Sequence, residues 1–427
     1  MGTIGAENFG RWRVAAIVAA GLASSCTSGS RSGREPTSAP SPTSREVEIR
    51  VGIAVGSASS SLSSVGPVTI AEPDGSSVAT IPAGETWQVS ARPEGLTLAR
   101  SGGKPLATVG AMTLTPASAV MPIRVNGKAY RGTVDILRDR TGLTVVNRLG
   151  IESYLLGVVS AEMGRRSQTE QAALRAQAMV SRTYAFRNLG KWRSQGFDLY
   201  ATVSDQAYGG IGAETPEGQE AVRATRGRVL TYRGNVIEAF YFSTCGGRTA
   251  DGYEVFRGAS RPYLRSGSDL SPDGLAYCSI SPRYRWKEEW TGERLRSVLG
   301  RHLHGTDGRP TGTIDRVADI RVTQRSGSGR VDQLAVVTNR PEVRVQGQSN
   351  VRQVLRTSTD DLLRSTAFTL IAVGAGSNVT HLVAEGRGAG HGVGLCQWGA
   401  VGRSRAGQSA EQILAAYYPG TSLERRY

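Results

Sequence analysis

The segment 149–188 predicts two consecutive helices joined at a short corner, and the rest of the chain has to fold around this pair. In its first half, apolar residues recur at the spacing of one helix face; they are Tyr154, Leu155, Val158 and Val159. This pattern stops at Glu162 and Met163, just before Gly164. A second helix starts at Ser167, because Ser167 and Glu170 have the spacing of a capping box. Glu162 therefore lies in the corner between the helices, and the second helix carries small alanines that allow close packing.

Glu162 is the first candidate for chemistry. A glutamate at a helix end is most often a solvated surface group. Here its neighbours in sequence are apolar and would remove it from water; they are Val158, Val159, Ala161 and Met163. Burial disfavours the charged carboxylate and raises its pKa, which a general acid needs near neutral pH.

The composition favours an α+β fold. The chain of 427 residues has 54 glycines and only 6% aromatic residues, which argues against a helical bundle. Its length allows two or three domains, and 39% hydrophobic residues are enough for well-packed cores. We predict a β-rich α+β protein in which a few packed helices form a substrate cleft.

The charge of the chain constrains its partners. The formal net charge is +15, so nucleic acid and anionic envelope polymers both have to be considered. The sequence contains no clustered basic run, zinc finger or RNA-binding signature. We therefore predict that nucleic acid is not a partner.

The first 46 residues predict export. Arg11 and Arg13 precede an apolar run, 14–23, that is too short to span a bilayer and has the form of a signal peptide. The run ends in Leu-Ala-Ser-Ser-Cys, similar to a bacterial lipoprotein cleavage site with Cys26 as the lipidated residue. Secretion with simple cleavage is the alternative. Residues 27–46 are rich in Ser, Pro and Thr and predict a disordered tether between an outer-face membrane anchor and the folded part.

The remaining chain is divided into two parts. Residues 47–118 contain short alternating segments bounded by turn residues and predict a β-rich N-terminal part. Residues 119–427 begin with strands joined at Asn126-Gly127, a hairpin signal, and then contain the two helices. A further helix is expected over 216–225, and 290–345 reads as a β-rich insertion with one helix over 293–299. His302 and His304 lack ligand partners at metal spacing, so no metal is expected there.

Several motifs carry a family resemblance. The helical pair reads YLLGVVSAEM and ALRAQAMVSRTYAF, and it is followed by an Asp-Gln-x-Tyr-x-Gly loop at 205–210 and a Ser-Thr-Cys-Gly-Gly turn at 243–247. The closing segment 388–420 contains Gly-His-Gly-Val-Gly and then Gln397. Their order resembles the SpoIID/LytB domain family, which includes stage II sporulation protein D and the amidase enhancers. The resemblance covers most of 47–427 and identifies 119–427 as the catalytic-type domain.

This resemblance implies a peptidoglycan lytic transglycosylase. Most glycoside hydrolases use two carboxylates, whereas only Glu162 stands out here. In a lytic transglycosylase the C6 hydroxyl of muramic acid attacks in place of water, and one carboxyl acts first as acid and then as base. The product has a 1,6-anhydromuramic end, and the resemblance implies a preference for strands whose stem peptides have been removed. The alternatives are a non-catalytic amidase enhancer, with a cell-wall amidase as partner, and a wall-binding lipoprotein.

Further site candidates come from glycine-flanked loops, where backbone can approach a sugar closely. We expect the substrate to be bound by Gln206, Tyr208, Ser243, Thr244, His391 and Gln397. Arg182, in the family's Arg-Thr-Tyr segment, is a further candidate, and locking the second helix is its alternative role. For each of the others the alternative is loop stabilisation.

The cysteines predict one disulfide and no cofactor. If Cys26 is lipidated, Cys245 and Cys278 are the best pair in an oxidising compartment, and Cys396 is left over. A Cys396–His391 hydrolase dyad is disfavoured because the residues between them form a turn. Some relatives bind zinc at the turn of Cys245 with help from a histidine. Here the corresponding positions are Phe242 and Arg248, which cannot bind zinc, so we predict no metal.

Overall fold

The computed structural model describes residues 46–256, 258, 260–304, 310–375 and 378–427. The predicted signal peptide, the lipidation site Cys26 and the tether as far as residue 45 lie outside the described residues. Among the described residues, no helix has both the length and the apolar character needed to cross a membrane.

The protein has an α+β fold that is rich in strands, as predicted. Its strands are β1 Glu48–Ser57, β2 Ser59–Ser64, β3 Val68–Ala71, β4 Ser77–Ile81, β5 Thr86–Arg92, β6 Gly95–Arg100, β7 Pro105–Val109, β8 Ala111–Pro116, β9 Ile123–Val125, β10 Lys128–Tyr130, β11 Thr133–Arg138, β12 Leu143–Gly150, β13 Leu199–Tyr200, β14 Arg228–Tyr232, β15 Asn235–Val236, β16 Tyr241–Phe242, β17 Arg285–Thr291, β18 Val317–Arg325, β19 Val331–Thr338, β20 Val343–Gln346, β21 Phe368–Ala375, β22 Asn378–Arg387, β23 Leu395–Cys396 and β24 Ser422–Arg425. Its helices are α1 Ile151–Met163, α2 Gln171–Arg187, α3 Pro216–Ala224, α4 Gly252–Val255, α5 Gly292–His302, α6 Gln348–Val354, α7 Gln397–Arg405 and α8 Ala410–Tyr417.

The first half of the chain forms two sheets. One has seven strands in the order β13-β1-β12-β11-β8-β3-β4, and the other has six in the order β10-β9-β2-β5-β6-β7. Alternate residues of these strands point inward, as period-two patterning requires, so that Ile49 and Val51 of β1 are fully buried. The predicted hairpin at Asn126-Gly127 joins β9 to β10, and both turn residues have positive φ, 49° and 79°. A positive φ at both central residues fits the Asn-Gly turn preference.

The predicted helical pair forms α1 and α2, and both pack into the main core. Strand β12 continues directly into α1, which ends at Met163 with Gly164 at φ 69°. The backbone N–H of Ser167 donates to the carboxylate of Glu170 at 3.0 Å, as in a capping box. This motif starts a short 3₁₀ turn, Gln168–Glu170, and α2 follows at Gln171. The alanines of α2 are small enough to bury completely, as Ala173, Ala176 and Ala178 show.

A second hydrophobic core lies among the strands and helices between residues 286 and 384. Trp290 is fully buried there and donates its indole N–H to the carbonyl of Arg356 at 2.7 Å. Strands β17, β22 and β21 form one three-stranded sheet, and β18, β19 and β20 form another. Helix α5 starts one residue before the predicted 293–299 and ends three residues after it. Thr291 caps its start, accepting from the N–H of Arg294 at 3.2 Å. The predicted helix over 216–225 is α3, which ends one residue earlier.

A short parallel strand pair joins the two segments of the chain that flank the second core. Strand β16 pairs with β23, so that Tyr241 lies beside Leu395 and Phe242 beside Cys396. This pair brings the Ser-Thr-Cys-Gly-Gly turn and the start of α7 together.

Candidate active site

Glu162 is enclosed by three donors that come from distant parts of the chain. One carboxylate oxygen, Oε1, accepts from the backbone N–H of Ala207 at 2.7 Å and from the hydroxyl of Tyr241 at 2.9 Å. The other, Oε2, has one longer contact, to the side-chain amide of Gln397 at 3.2 Å. The side chain is half-buried at the end of α1. The two oxygens therefore differ in how firmly they are held.

Burial raises the pKa of Glu162 above its ordinary value. Desolvation penalises the charged form, while the donors from Ala207, Tyr241 and Gln397 act in the opposite direction. The sequence predicted this direction from the residues next to Glu162. In the structure Ala161 is exposed, and the groups that contact the carboxylate belong to other segments.

Hydrogen bonds through Gln206 hold the hydroxyl of Tyr241 in place. Its hydroxyl accepts from the side-chain amide of Gln206 at 3.2 Å, and the hydroxyl of Tyr154 donates to the amide oxygen of Gln206 at 3.2 Å. Gln206 is fully buried, so its amide is used inside the protein and orients Tyr241. Tyr241 was absent from the sequence-based candidates because a Tyr-Phe pair before the Ser-Thr-Cys turn carries no motif of its own.

The loop of Gln206 is held by the neighbouring Asp205. Its carboxylate accepts from the hydroxyl of Tyr184 at 2.9 Å, the indole of Trp192 at 2.8 Å and the backbone N–H of Tyr200 at 2.9 Å, and it pairs with Lys191 at 2.5 Å. With its carboxylate engaged by four donors, Asp205 anchors the loop that presents the Ala207 N–H to Glu162.

His391 supports the same site through the backbone. Its Nδ1 accepts from the N–H of Val393 at 3.1 Å, so Nε2 carries the hydrogen and donates to the carbonyl of Tyr241 at 2.9 Å. The ring packs among Phe240, Phe242 and Phe256. Burial lowers the pKa of His391 to about 4, so the ring is neutral at physiological pH.

Two other predicted residues form the turn that follows Tyr241. Ser243 is half-buried, and its carbonyl accepts from the N–H of Trp398 at 3.0 Å. Thr244 is buried, with its hydroxyl 2.8 Å from that of Ser281. Trp398 is itself half-buried next to Gln397, and the guanidinium of Arg166 lies over its ring at 4.4 Å. Trp398 lies in the segment Gly-Leu-Cys-Gln-Trp-Gly-Ala, in which only Gln397 was predicted to bind substrate.

The side chains of Tyr208 and Arg182 bond to partners other than Glu162. The hydroxyl of Tyr208 donates to Asn147 at 2.8 Å inside the core. Arg182 is fully buried and makes two bonds to Glu152, at 2.8 and 2.7 Å. It therefore has the alternative role that the sequence left open, fixing α2, and it has no surface to offer a substrate.

The cysteines that were expected to pair lie close together as free thiols. The sulfurs of Cys245 and Cys278 are 3.4 Å apart. Cys396 lies next to them, and its sulfur accepts from the N–H of Cys245 at 3.1 Å. The two ring nitrogens of His391 are engaged elsewhere, so the structure does not join Cys396 and His391 as a dyad.

Comparison with known proteins agrees with this arrangement of motifs. Residues 139–232, which include Glu162 and the Asp205 loop, match the family described as Stage II sporulation protein. Residues 277–394, which include the second core, match a domain of unknown function.

Three relatives align over most of the chain. An uncharacterized protein of Brachyspira hyodysenteriae is 30% identical over 301 residues, covering 70% of this chain and 73% of that protein. The amidase enhancer of Bacillus subtilis is 30% identical over 329 residues, covering 70% of this chain but 45% of the enhancer. Stage II sporulation protein D of Bacillus subtilis is 28% identical over 303 residues, covering 66% of this chain and 77% of that protein. From its motifs and from these matches, we conclude that the chain belongs to the SpoIID/LytB family.

Proposed function

We propose that this protein is a peptidoglycan lytic transglycosylase in which Glu162 acts first as acid and then as base. The observation that supports this most directly is the unequal holding of the two Glu162 oxygens. Oε1 has two short donors, whereas Oε2 has one longer contact. Oε2 is therefore the oxygen that can carry the acidic proton, and burial raises the pKa of Glu162 so that this proton is retained to higher pH.

The reaction would proceed in two steps. In the first, Oε2 gives its proton to the glycosidic oxygen, the bond from that oxygen to C1 of muramic acid breaks, and C1 gains oxocarbenium character. In the second, the C6 hydroxyl of the same sugar attacks C1 and returns its proton to Glu162. The product carries a 1,6-anhydro ring, the carboxyl is protonated again, and no water is consumed.

The donors on Oε1 suit both steps. Proton transfer creates negative charge on the carboxylate, and the Ala207 N–H and the Tyr241 hydroxyl are already directed at it. Donors that are in place before charge develops stabilise a transition state without reorganisation. A hydrolase would use a second carboxylate about 5–9.5 Å from the first. Asp205, in the loop that bonds to Glu162, has its carboxylate engaged by four donors, which does not favour a role in activating water.

The biological setting follows from the family and from the predicted leader. Relatives named amidase enhancer and stage II sporulation protein D support a cell-wall function. We propose that the protein is exported, is held at the outer face of the membrane through Cys26, and acts on glycan strands with their stem peptides removed. A wall amidase would supply such strands and is the proposed partner.

The test uses purified protein, wild type and Glu162→Gln, with intact and peptide-free peptidoglycan in heavy-oxygen water. A lytic transglycosylase yields 1,6-anhydromuramic ends without heavy oxygen, whereas a hydrolase yields labelled reducing ends. We expect unlabelled anhydro ends from the wild type and none from Glu162→Gln.

The matched control is Glu220→Gln, which removes an exposed carboxylate on α3 paired only at the surface with Arg175 at 3.2 Å. It should retain wild-type activity. If all forms are silent on both substrates yet sediment with the wall, the enzymatic proposal fails, and stimulation of an added amidase would then support the enhancer alternative.

A further inference from the structure

Four buried groups that can bind a metal converge next to the candidate active site. Cys245, Cys278, Cys396 and Asp269 each place one sulfur or carboxylate oxygen within 4.8 Å of all the others. The sulfur of Cys245 lies 3.4 Å from that of Cys278 and 3.1 Å from Oδ2 of Asp269. The four residues come from separate segments of the chain, so their meeting is a property of the fold.

The spacing fits a tetrahedral zinc ion. Zinc binds thiolate sulfur at about 2.3 Å, which places two sulfurs of a tetrahedral site roughly 3.8 Å apart. The Cys245–Cys278 separation of 3.4 Å is a few tenths of an ångström shorter, and the four ligand atoms lie within 4.8 Å of one another, so small side-chain rotations would bring the cluster to this size. A disulfide would require the Cys245 and Cys278 sulfurs to approach to about 2.05 Å and would leave Cys396 without a partner.

Backbone N–H groups donate to two of the three sulfurs. Cys396 accepts from the N–H of Cys245 at 3.1 Å and of Gly399 at 3.2 Å, and Cys245 accepts from the N–H of Gly247 at 3.3 Å. Hydrogen bonds from backbone amides stabilise the negative form of a sulfur. Gly246 and Gly247 reach this geometry with φ values of 77° and 100°, which residues with a side chain rarely adopt.

The charges around the cluster supply an independent argument. Arg330 is 1% exposed, and its guanidinium interacts electrostatically with all three cysteines. Only its Nη2 finds partners, the nearer being the carbonyl of Cys245 at 3.0 Å, while Nε and Nη1 have none among the described residues. With the thiols neutral, Glu254 would be the one negative group among the described ones that act on this buried cation, and burying an under-compensated charge is costly.

A metal centre would remove this imbalance. Three thiolates, one carboxylate and a divalent ion carry a net charge of minus two, which Arg330 and Arg403 together would neutralise. Arg403 already pairs with Oδ1 of Asp269 at 3.0 Å, and the hydroxyl of Tyr417 donates to the same oxygen at 2.9 Å. The same hydroxyl also lies 3.0 Å from Oδ2, so these outer contacts orient the whole carboxylate of the proposed ligand.

We propose that Cys245, Cys278, Cys396 and Asp269 form a closed structural zinc site. All four positions are filled by protein groups, which is the arrangement of structural rather than catalytic zinc. The prediction of no metal rested on the positions of Phe242 and Arg248, whereas this ligand set contains no histidine and is assembled from remote segments. The ion would join the turn after Tyr241 to the residue before Gln397, so it would fix two of the groups that hold Glu162.

The test measures metal directly on the full-length chain, produced with zinc in the medium and purified without chelator. We expect one zinc per chain after gel filtration, released when a mercurial titrates the thiols in the presence of a zinc indicator. Cys278→Ser should retain at least tenfold less zinc. Cys26→Ser, which leaves all four ligands in place, is the matched control and should retain as much as the wild type.

Cobalt(II) substitution separates loss of a ligand from loss of the fold, because it is made on the wild-type protein. Thiolate-to-cobalt charge-transfer absorption and a raised Tm support the site. A wild-type chain that retains no zinc and has free cluster thiols overturns the proposal, as does a Cys245–Cys278 disulfide found by peptide mapping. None of these readouts involves wall cleavage, so they stand or fall separately from the proposed function.

Discussion

Replacing Tyr241 with phenylalanine is the sharpest test of how Glu162 is held. The change removes the hydroxyl that donates to Oε1 at 2.9 Å and keeps the ring, which packs edge-on against Tyr184. The amide of Gln206 also loses its acceptor. Tyr241→Phe should therefore weaken the charged form of Glu162 with little change in packing.

The size of the effect follows from the bond that is lost. A hydrogen bond to a charged group contributes about 1.5–3 kcal/mol, and each 1.36 kcal/mol of barrier is about a tenfold change in rate. Since the first step creates charge on Glu162, kcat should fall by roughly ten- to a hundredfold. Losing this donor also raises the pKa of Glu162 further, so the acid form persists to higher pH. The alkaline limb of the pH–rate profile should therefore move to higher pH.

The assay is the rate of release of 1,6-anhydromuramic ends from peptide-free glycan, measured by mass spectrometry across a pH series. Tyr253→Phe is the matched control, because it removes the hydroxyl of an exposed tyrosine on α4 that is not a partner of Glu162. It should keep the wild-type profile. If Tyr241→Phe kept both the wild-type kcat and the wild-type alkaline limb while Glu162→Gln was inactive, Tyr241 would have no part in supporting the carboxyl.

Two further predictions concern stability. Gly157→Ala should destabilise the protein by about 1–3 kcal/mol in urea unfolding, because its new methyl would lie 2.6 Å from the ring of Tyr208. Gly212→Ala is the control and should be close to neutral, because nothing lies within 4 Å of its new methyl. Equal free energies of unfolding for the two variants would contradict the packing argument. His391 has its pKa lowered from 6.5 to about 4 by burial, so between these pH values the unfolded chain binds a proton that the folded chain does not, and stability should fall as the pH falls through this window. Acid titration of unfolding should show this slope, and its persistence in His391→Gln would assign it to another group.

Local features of the fold were predictable from the sequence, because neighbours along the chain determine them. Helical spacing gave the end of α1 at Met163, and Asn126-Gly127 gave the hairpin between β9 and β10. The Ser167 capping box was also correct, although it opens a 3₁₀ turn before α2 begins. In each case the signal lies within a few residues of the structure that it produces.

The surroundings of Glu162 could not be predicted in this way. Its donors Ala207, Tyr241 and Gln397 are 45, 79 and 235 residues away along the chain, so no local pattern connects them. For Arg182, the local sequence was equally uninformative about its partner. A conspicuous arginine in a motif suggested a ligand contact, but its partner is Glu152, 30 residues earlier and inside the core.

The parallel pair of β16 and β23 has a consequence for how such proteins can vary. It brings residues 241–242 next to 395–396. The segment between them, 243–394, contains the second core, and its two ends therefore lie side by side. The entropic cost of closing a loop grows only with the logarithm of its length, about 0.6 kcal/mol for each doubling. The part of this segment that forms the second core, between residues 286 and 384, can thus be lengthened, shortened or exchanged at small cost, provided that the strand pair and the 243–247 turn, Cys278 and His391 keep their places. The strand pair would then separate the candidate active site from a region that is free to diversify.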